Sequence, residues 1–239
     1  MTSADARCWG VLPAAGTGSR MGGERPKQYV ELAGATLLEH SLRALLASPR
    51  ISAVMVALHP DDRWAETLDV IGDSRVQTTT GGAERSDSVL AALVALESSA
   101  DDGDWVLVHD AARPCLRAAE LAALIERVST SGIGGILAEP VVDTVKLADG
   151  QGRVQRTLDR EGLWRAQTPQ MFRLGELRAA LQAARDRGLA VTDEASAMEL
   201  AERPVQLVAG SPRNLKVTVP ADLELAAWYL SQAPAVEGR

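Results

Sequence analysis

Two cations set in a glycine-rich turn are the residues of this sequence best placed to do chemistry. The stretch LPAAGTGSRM, Leu12 to Met21, follows a short apolar run and leads into GGERPKQ, so Gly16 and Gly18 lie close to Arg20 and Lys27. Backbone N–H groups exposed in such a loop, helped by nearby cations, wrap a polyphosphate. A loop merely rich in turn formers would carry the same glycines. Spacing separates the familiar phosphate loops. A dinucleotide fingerprint GxGxxG would need its third glycine where Met21 stands, and Pro26 delays any helix. A Walker loop aligned on Gly18 and Gly23 would put Glu24 in the lysine position. What is left is a long loop over a polyphosphate, with Pro26 restricting the backbone beside Lys27.

The elements that must hold this loop follow from hydrophobic period. Short apolar runs predict strands at Cys8–Pro13, Ile51–Leu58, Arg75–Thr79, Trp105–His109, Gly134–Ala138 and Val205–Val208. Between them, Leu37, Leu38, Leu42, Leu45 and Leu46 form one helical stripe; Val89, Leu90, Leu93, Val94 and Leu96 form another, and Leu121, Leu124, Ile125 and Val128 a third. Alternating strands and helices predict a single α/β domain over 1–239: a Rossmann-like, mainly parallel sheet with helices on both faces and ligands at the carboxyl ends of its strands. With 239 residues, 46% of them hydrophobic and 24% charged, there is material for one buried core. A net charge of -7 argues against nucleic-acid or anionic-membrane partners. No secretion signal or membrane anchor is visible, and Cys8 and Cys115 lack metal or redox spacing, so a cytoplasmic protein with reduced thiols is expected.

One segment breaks the alternation. VVDTVKLADGQGRVQRTLDR, Val141 to Arg160, reads as two half-polar extended stretches around an Asp149–Gly150 turn. It has little apolar surface to bury, so a projecting β-arm over about 139–166 is expected. The arm either decorates a monomer or packs on a second subunit, and packing is favoured because isolated hairpins are marginal.

The motifs carry a resemblance. AAGTGSRMGGERPKQ (Ala14 to Gln28), GGAERSDSV, VHDAARP, TLDREGLWRAQTPQ, TDEASAME and NLKVT occur in an order similar to that of the 2-C-methyl-D-erythritol 4-phosphate cytidylyltransferase family. The resemblance implies a nucleotidyltransferase fold, transfer of a cytidylyl group from CTP to methylerythritol phosphate in isoprenoid precursor synthesis, and a homodimer joined through the arm. It implies that Arg20 and Lys27 stabilise the transition state and that Arg160 and Lys216 grip and position the acceptor. Thr144, Thr168, Asp110, Ala111 and Arg113 are further acceptor contacts in the same pattern. Pro13, Ala14, Ala15, Gly16, Gly18, Gly81, Gly82 and Ser88 fall on the nucleotide side, while Ala83 stands where many relatives carry an acidic residue. A ribitol or other polyol phosphate is the rival acceptor, and a non-catalytic nucleotide-binding regulatory module the rival class.

The chemistry agrees with what the sequence lacks. A phosphate monoester has a second pKa of about 6 and attacks as a dianion without a general base. His40, His59 and His109 are therefore expected to be structural. Mg²⁺ is expected with the polyphosphate, and Asp110 either makes a direct or water-mediated contact to it or holds Arg113 or a neighbouring backbone group. Asp193 and Glu194 suggest a second metal pair, but Thr192 or Asp193 capping a helix is the simpler expectation.

Overall fold

The structure, a computed structural model, describes residues 6–16 and 25–232. The first apolar run forms β1 (Cys8–Ala14), with Cys8, Leu12 and Ala14 joining the core on one side of a sheet and Trp9 and Val11 on the other. A single 3₁₀ turn, Lys27–Tyr29, and a small ladder of β2 (Glu31–Leu32) and β3 (Ala35–Thr36) lead into α1 (Leu37–Leu46). A reciprocal cap starts α1: Thr36 Oγ1 accepts from the Glu39 N–H at 3.2 Å, and the Glu39 carboxylate accepts from the Thr36 N–H at 2.8 Å. The chain continues through β4 (Ile51–Leu58), β5 (Val76–Thr80), α2 (Arg85–Leu96), β6 (Trp105–Val108), α3 (Ala118–Ser131) and β7 (Gly135–Pro140). Next come β8 (Val145–Ala148), β9 (Val154–Leu158), β10 (Trp164–Arg173), α4 (Leu174–Asp186), α5 (Glu194–Leu200), β11 (Gln206–Ala209) and α6 (Pro220–Ser231).

Seven strands make one sheet in the order β11-β7-β10-β6-β1-β4-β5. All neighbours are parallel except β10, which runs antiparallel to both β6 and β7. Leu38, Leu42 and Leu45 of α1, with Leu121, Leu124 and Ile125 of α3, cover one face. Val89, Leu93 and Leu96 of α2, with Leu174, Leu177 and Leu181 of α4, cover the other. Each such side chain contributes about 1.5–3 kcal/mol on burial. Leu32, Leu37, Cys115, Val217 and Ala226 form a smaller cluster that ties α6 and the segment before it to the N-terminal half.

The six expected strands appear within two residues of their expected ends, and β10 joins them as a seventh that hydrophobic period does not signal. WRAQTPQMFR has a polar first half and a proline, and neither signals an interior strand. The structure accommodates it by a register irregularity between Ala166 and Gln170, around the cis Thr168–Pro169 peptide. β8 and β9 form a separate two-stranded antiparallel sheet. Its turn is closed by Asp149, whose Oδ1 accepts from the N–H groups of Gln151 and Arg153, both at 2.9 Å. Val142, Leu147 and Val154 on this segment are exposed. Among the described residues, no helix is long and apolar enough to cross a membrane.

Candidate active site

The carboxyl ends of β1 and β6 open on the same side of the sheet, and two adjoining clefts lie there. Pro13, Ala14, Ala15 and Gly16 leave β1 along the wall of the first cleft, opposite Asp110, Ala111 and Ala112 leaving β6. Lys27, Gly82, Ala83, Glu84, Arg85, Ser88 and Lys216 also line it. Lys27 opens the 3₁₀ turn directly after Pro26, whose φ of -56° suits that entry. The next side chain, Gln28, is buried and donates to the Ala14 carbonyl at 2.7 Å, fixing the turn to the end of β1. Ser88 Oγ accepts from the Gly82 N–H at 3.1 Å and donates to the Glu84 carbonyl at 3.1 Å, which shapes the approach to α2. A Cβ on Gly81 would lie 2.6 Å from Ala15 Cβ, and one on Gly82 2.3 Å from Asp87 Cβ. Both glycines are thus required by the protein's own packing.

The second cleft is lined by Arg113, Gln167, Thr168 and Gln170, and it shares Asp110, Arg85 and Lys216 with the first. Asp110 is the hub. Its Oδ1 accepts from Arg85 Nε at 2.9 Å, and its Oδ2 faces Lys216 Nζ at 3.0 Å and Arg113 Nε at 3.4 Å. Burial pushes the Asp110 carboxyl up, but Arg85, Lys216 and Arg113 together outweigh it and hold the group well below the usual carboxylate range. Arg85 in turn forks onto Glu194, at 2.6 Å and 3.0 Å. Burial pulls Arg85 down, and the Glu194 and Asp110 carboxylates more than reverse this, leaving it above the ordinary arginine value.

Behind the hub, Thr168 and His109 form a fixed relay of hydrogen bonds. His109 Nε2 lies 3.1 Å from the Arg113 carbonyl, an acceptor, so Nε2 carries the proton and Nδ1 accepts from Thr168 Oγ1 at 2.9 Å. Thr168 Oγ1 also accepts from the Asp110 N–H at 3.0 Å. Thr168 is therefore engaged with the turn carrying Asp110, in addition to lining the second cleft. Burial drives His109 down to about 4, so it is neutral at pH 7.

Lys216 arrives on the irregular segment after β11, which is stitched to both clefts. The Val217 N–H donates to the Ala112 carbonyl at 2.8 Å, and Lys27 Nζ donates to the Val217 carbonyl at 2.8 Å. Arg113 Nη1 donates to the Asn214 carbonyl at 2.6 Å, and Asn214 Nδ2 donates to the Thr168 carbonyl at 2.7 Å. Residues 27, 113, 168 and 216, remote in sequence, are thereby held on one frame.

Gly18 and Arg20 lie outside the described residues. Gly81 borders a neighbouring surface depression. Thr144 and Arg160, exposed on either side of the β8–β9 sheet, line neither cleft of their own chain, and the Arg160 guanidinium donates to the Val142 carbonyl. Asp193 caps α5, its Oδ1 accepting from the Ser196 N–H at 3.0 Å, and Glu194 pairs with Arg85, so neither belongs to a metal pair. Among the described residues, no cluster of three or more His, Cys, Asp or Glu side chains is arranged to hold a metal. Both oxygens of Asp110 already face cations, so this donor set does not fit a directly bound Mg²⁺.

Arg85 and Glu194 are the site residues that sequence reasoning did not single out as a pair. One signal was present. Arg85 opens α2, where the helix dipole disfavours a cation, so an arginine held there calls for anions from elsewhere.

The sequence model of the 2-C-methyl-D-erythritol 4-phosphate cytidylyltransferase family matches residues 9–232. The chain belongs to this family. It is 51% identical over 217 residues to the 2-C-methyl-D-erythritol 4-phosphate cytidylyltransferase of Pseudomonas putida strain GB-1, covering 90% of this chain and 92% of that protein. To the enzyme of the same name from Aeromonas hydrophila it is 52% identical over 225 residues, covering 94% and 90%. The fold is similar to the crystal structure of a 4-diphosphocytidyl-2C-methyl-D-erythritol synthase, with a TM-score of 0.82, 37% identity and coverage of 95% and 99%. The Francisella tularensis cytidylyltransferase gives 0.81, 36%, 94% and 100%. As a member of the cytidylyltransferase family the chain is an enzyme, and its two clefts meet at Asp110.

Proposed function

We propose that this enzyme transfers the cytidylyl group of CTP to 2-C-methyl-D-erythritol 4-phosphate, giving 4-diphosphocytidyl-2-C-methyl-D-erythritol and pyrophosphate. The observation that carries the reading is the pair of clefts sharing Asp110, Arg85 and Lys216, in a chain of this family. The first cleft takes CTP and the second the acceptor. An acceptor phosphate oxygen bonds to the α-phosphorus of CTP as the bond to pyrophosphate breaks, and the electron pair leaves with pyrophosphate. The attacking phosphate is already a dianion, with a second pKa of about 6, so no base is needed. His109, neutral and hydrogen-bonded at both ring nitrogens, is suited to a structural role.

The work asked of the protein is to hold two anions together. Lys216 brings positive charge to the boundary of the clefts, Arg113 to the acceptor side and Lys27 to the nucleotide side. Arg20 is assigned the same task as Lys27. Mg²⁺ is proposed to accompany CTP, on phosphate and water oxygens. The proposed assembly is a homodimer: Thr144 and Arg160, outside both clefts of their own chain, complete the acceptor cleft of the second copy. Two free, buried cysteines suit the reducing cytoplasm, the proposed compartment.

The test is pyrophosphate release by purified protein with CTP and Mg²⁺. Release that depends on 2-C-methyl-D-erythritol 4-phosphate is expected. Release with ribitol 5-phosphate alone, or CTP binding without release to any acceptor, overturns the reading.

A further inference from the structure

We infer that Glu194 is a positioning residue for this transfer: it fixes the guanidinium of Arg85, one of the three side chains common to both clefts, and through it the placement of the other two, Asp110 and Lys216. The inference rests on the proposed reaction. Glu194 stands in the first turn of α5 with a side chain only 1% exposed. Both its oxygens accept from Arg85, at 2.6 Å and 3.0 Å, while Arg85 Nε donates to Asp110 Oδ1 at 2.9 Å. All three guanidinium nitrogens are committed, so the plane of the group is set by two carboxylates from different parts of the chain.

Stability does not call for this arrangement. An ion pair with one partner buried contributes little net stability relative to well-packed apolar groups, and Arg85, partly exposed, stands at the helix end that disfavours its charge. Geometry does call for it. Without the Glu194 carboxylate, the Arg85 fork would turn to the remaining anion, Asp110, and take both of its oxygens. It would then compete with Lys216 and Arg113 for Oδ2. Lys216, whose side chain is 40% exposed, is the partner most easily displaced.

A double-mutant cycle separates positioning from folding. Glu194→Gln, Arg85→Gln and the double variant are assayed for kcat and KM with CTP and 2-C-methyl-D-erythritol 4-phosphate beside the unaltered enzyme, with urea unfolding to measure the folded fraction. Glu194→Gln is expected to lower kcat/KM by about ten- to a hundredfold, the cost of an ångström-scale misplacement. In the Arg85→Gln background it should change kcat/KM by less than about threefold. An equal loss in both backgrounds, or no loss in a folded Glu194→Gln protein, overturns the role. If a glutamine variant does not fold, Glu194→Asp and Arg85→Lys take its place, since each keeps the charge and breaks the two-point fork. An inactive unaltered enzyme would instead refute the proposed reaction, and with it this role.

Discussion

Lowering the pH from 7 to 5 is expected to weaken the fold by a defined amount through one side chain, His109. Its Nε2–H donates to the Arg113 carbonyl and its Nδ1 accepts from Thr168, so a second ring proton would place two donors face to face inside the core. The ring is fully buried, and burial is the main reason its pKa drops from 6.5 to about 4. The unfolded chain therefore binds a proton near pH 6.5 that the folded chain refuses until about pH 4. Stability from this group is complete above pH 6.5 and is lost as the pH falls towards 4. At about 1.4 kcal/mol per pH unit, the full loss is about 3 kcal/mol, of which about 2 kcal/mol falls between pH 7 and pH 5. Urea unfolding at pH 7, 6 and 5 measures it, with His109→Gln as the reference. Glutamine offers a similar amide N–H towards Arg113 but does not titrate, and the other titrating groups are common to both proteins. The stability difference between the two should shrink by about 2 kcal/mol over that range. A difference that stays constant would show that folded His109 takes up its proton as readily as the unfolded chain, and would refute the buried relay.

Two further outcomes are expected. Gly82→Ala would drive a methyl group to 2.3 Å from Asp87 Cβ, so a loss of about 1–3 kcal/mol in urea unfolding and weaker CTP binding by calorimetry should appear together. Unchanged stability would show that the loop yields freely. If the acceptor cleft is completed by a second copy, mixing Arg20→Ala and Arg160→Ala chains should restore about a quarter of the unaltered activity, since about half the dimers are mixed and each holds one intact site. No recovery in dimers verified as mixed would mean that each site is built within one chain.

What the sequence revealed depended on how local the information was. The strand Cys8–Ala14 follows from an apolar run, and the motif around Asp110 marks a strand end; both are contiguous in the chain. The charge of Asp110 is legible, and so is a contact with Arg113 three residues on, but the cations at 85 and 216 that also face it come from remote segments, and nothing in the spacing announces that they meet. Glu194 illustrates the limit. Beside Asp193 it looks like half of an acidic pair, whereas folding separates the two neighbours into a helix cap and the partner of an arginine 109 positions away. β10 went unread because Gln167, Thr168 and Gln170 are buried for their hydrogen bonds, which periodicity of hydrophobic residues does not register.

That strand also sets an order of events during synthesis. β6 and β7 share no ladder; β10 pairs with β6 along one edge and with β7 along the other. As the chain leaves the ribosome, β6 can join β1 early, yet its far edge stays bare until the β8–β9 hairpin has been made and Trp164–Arg173 emerges. An unpaired edge is where a nascent sheet is most open to joining another chain. The late arrival of one polar, proline-bearing strand closes that opening and locks the two parts of the sheet into a single cooperative body.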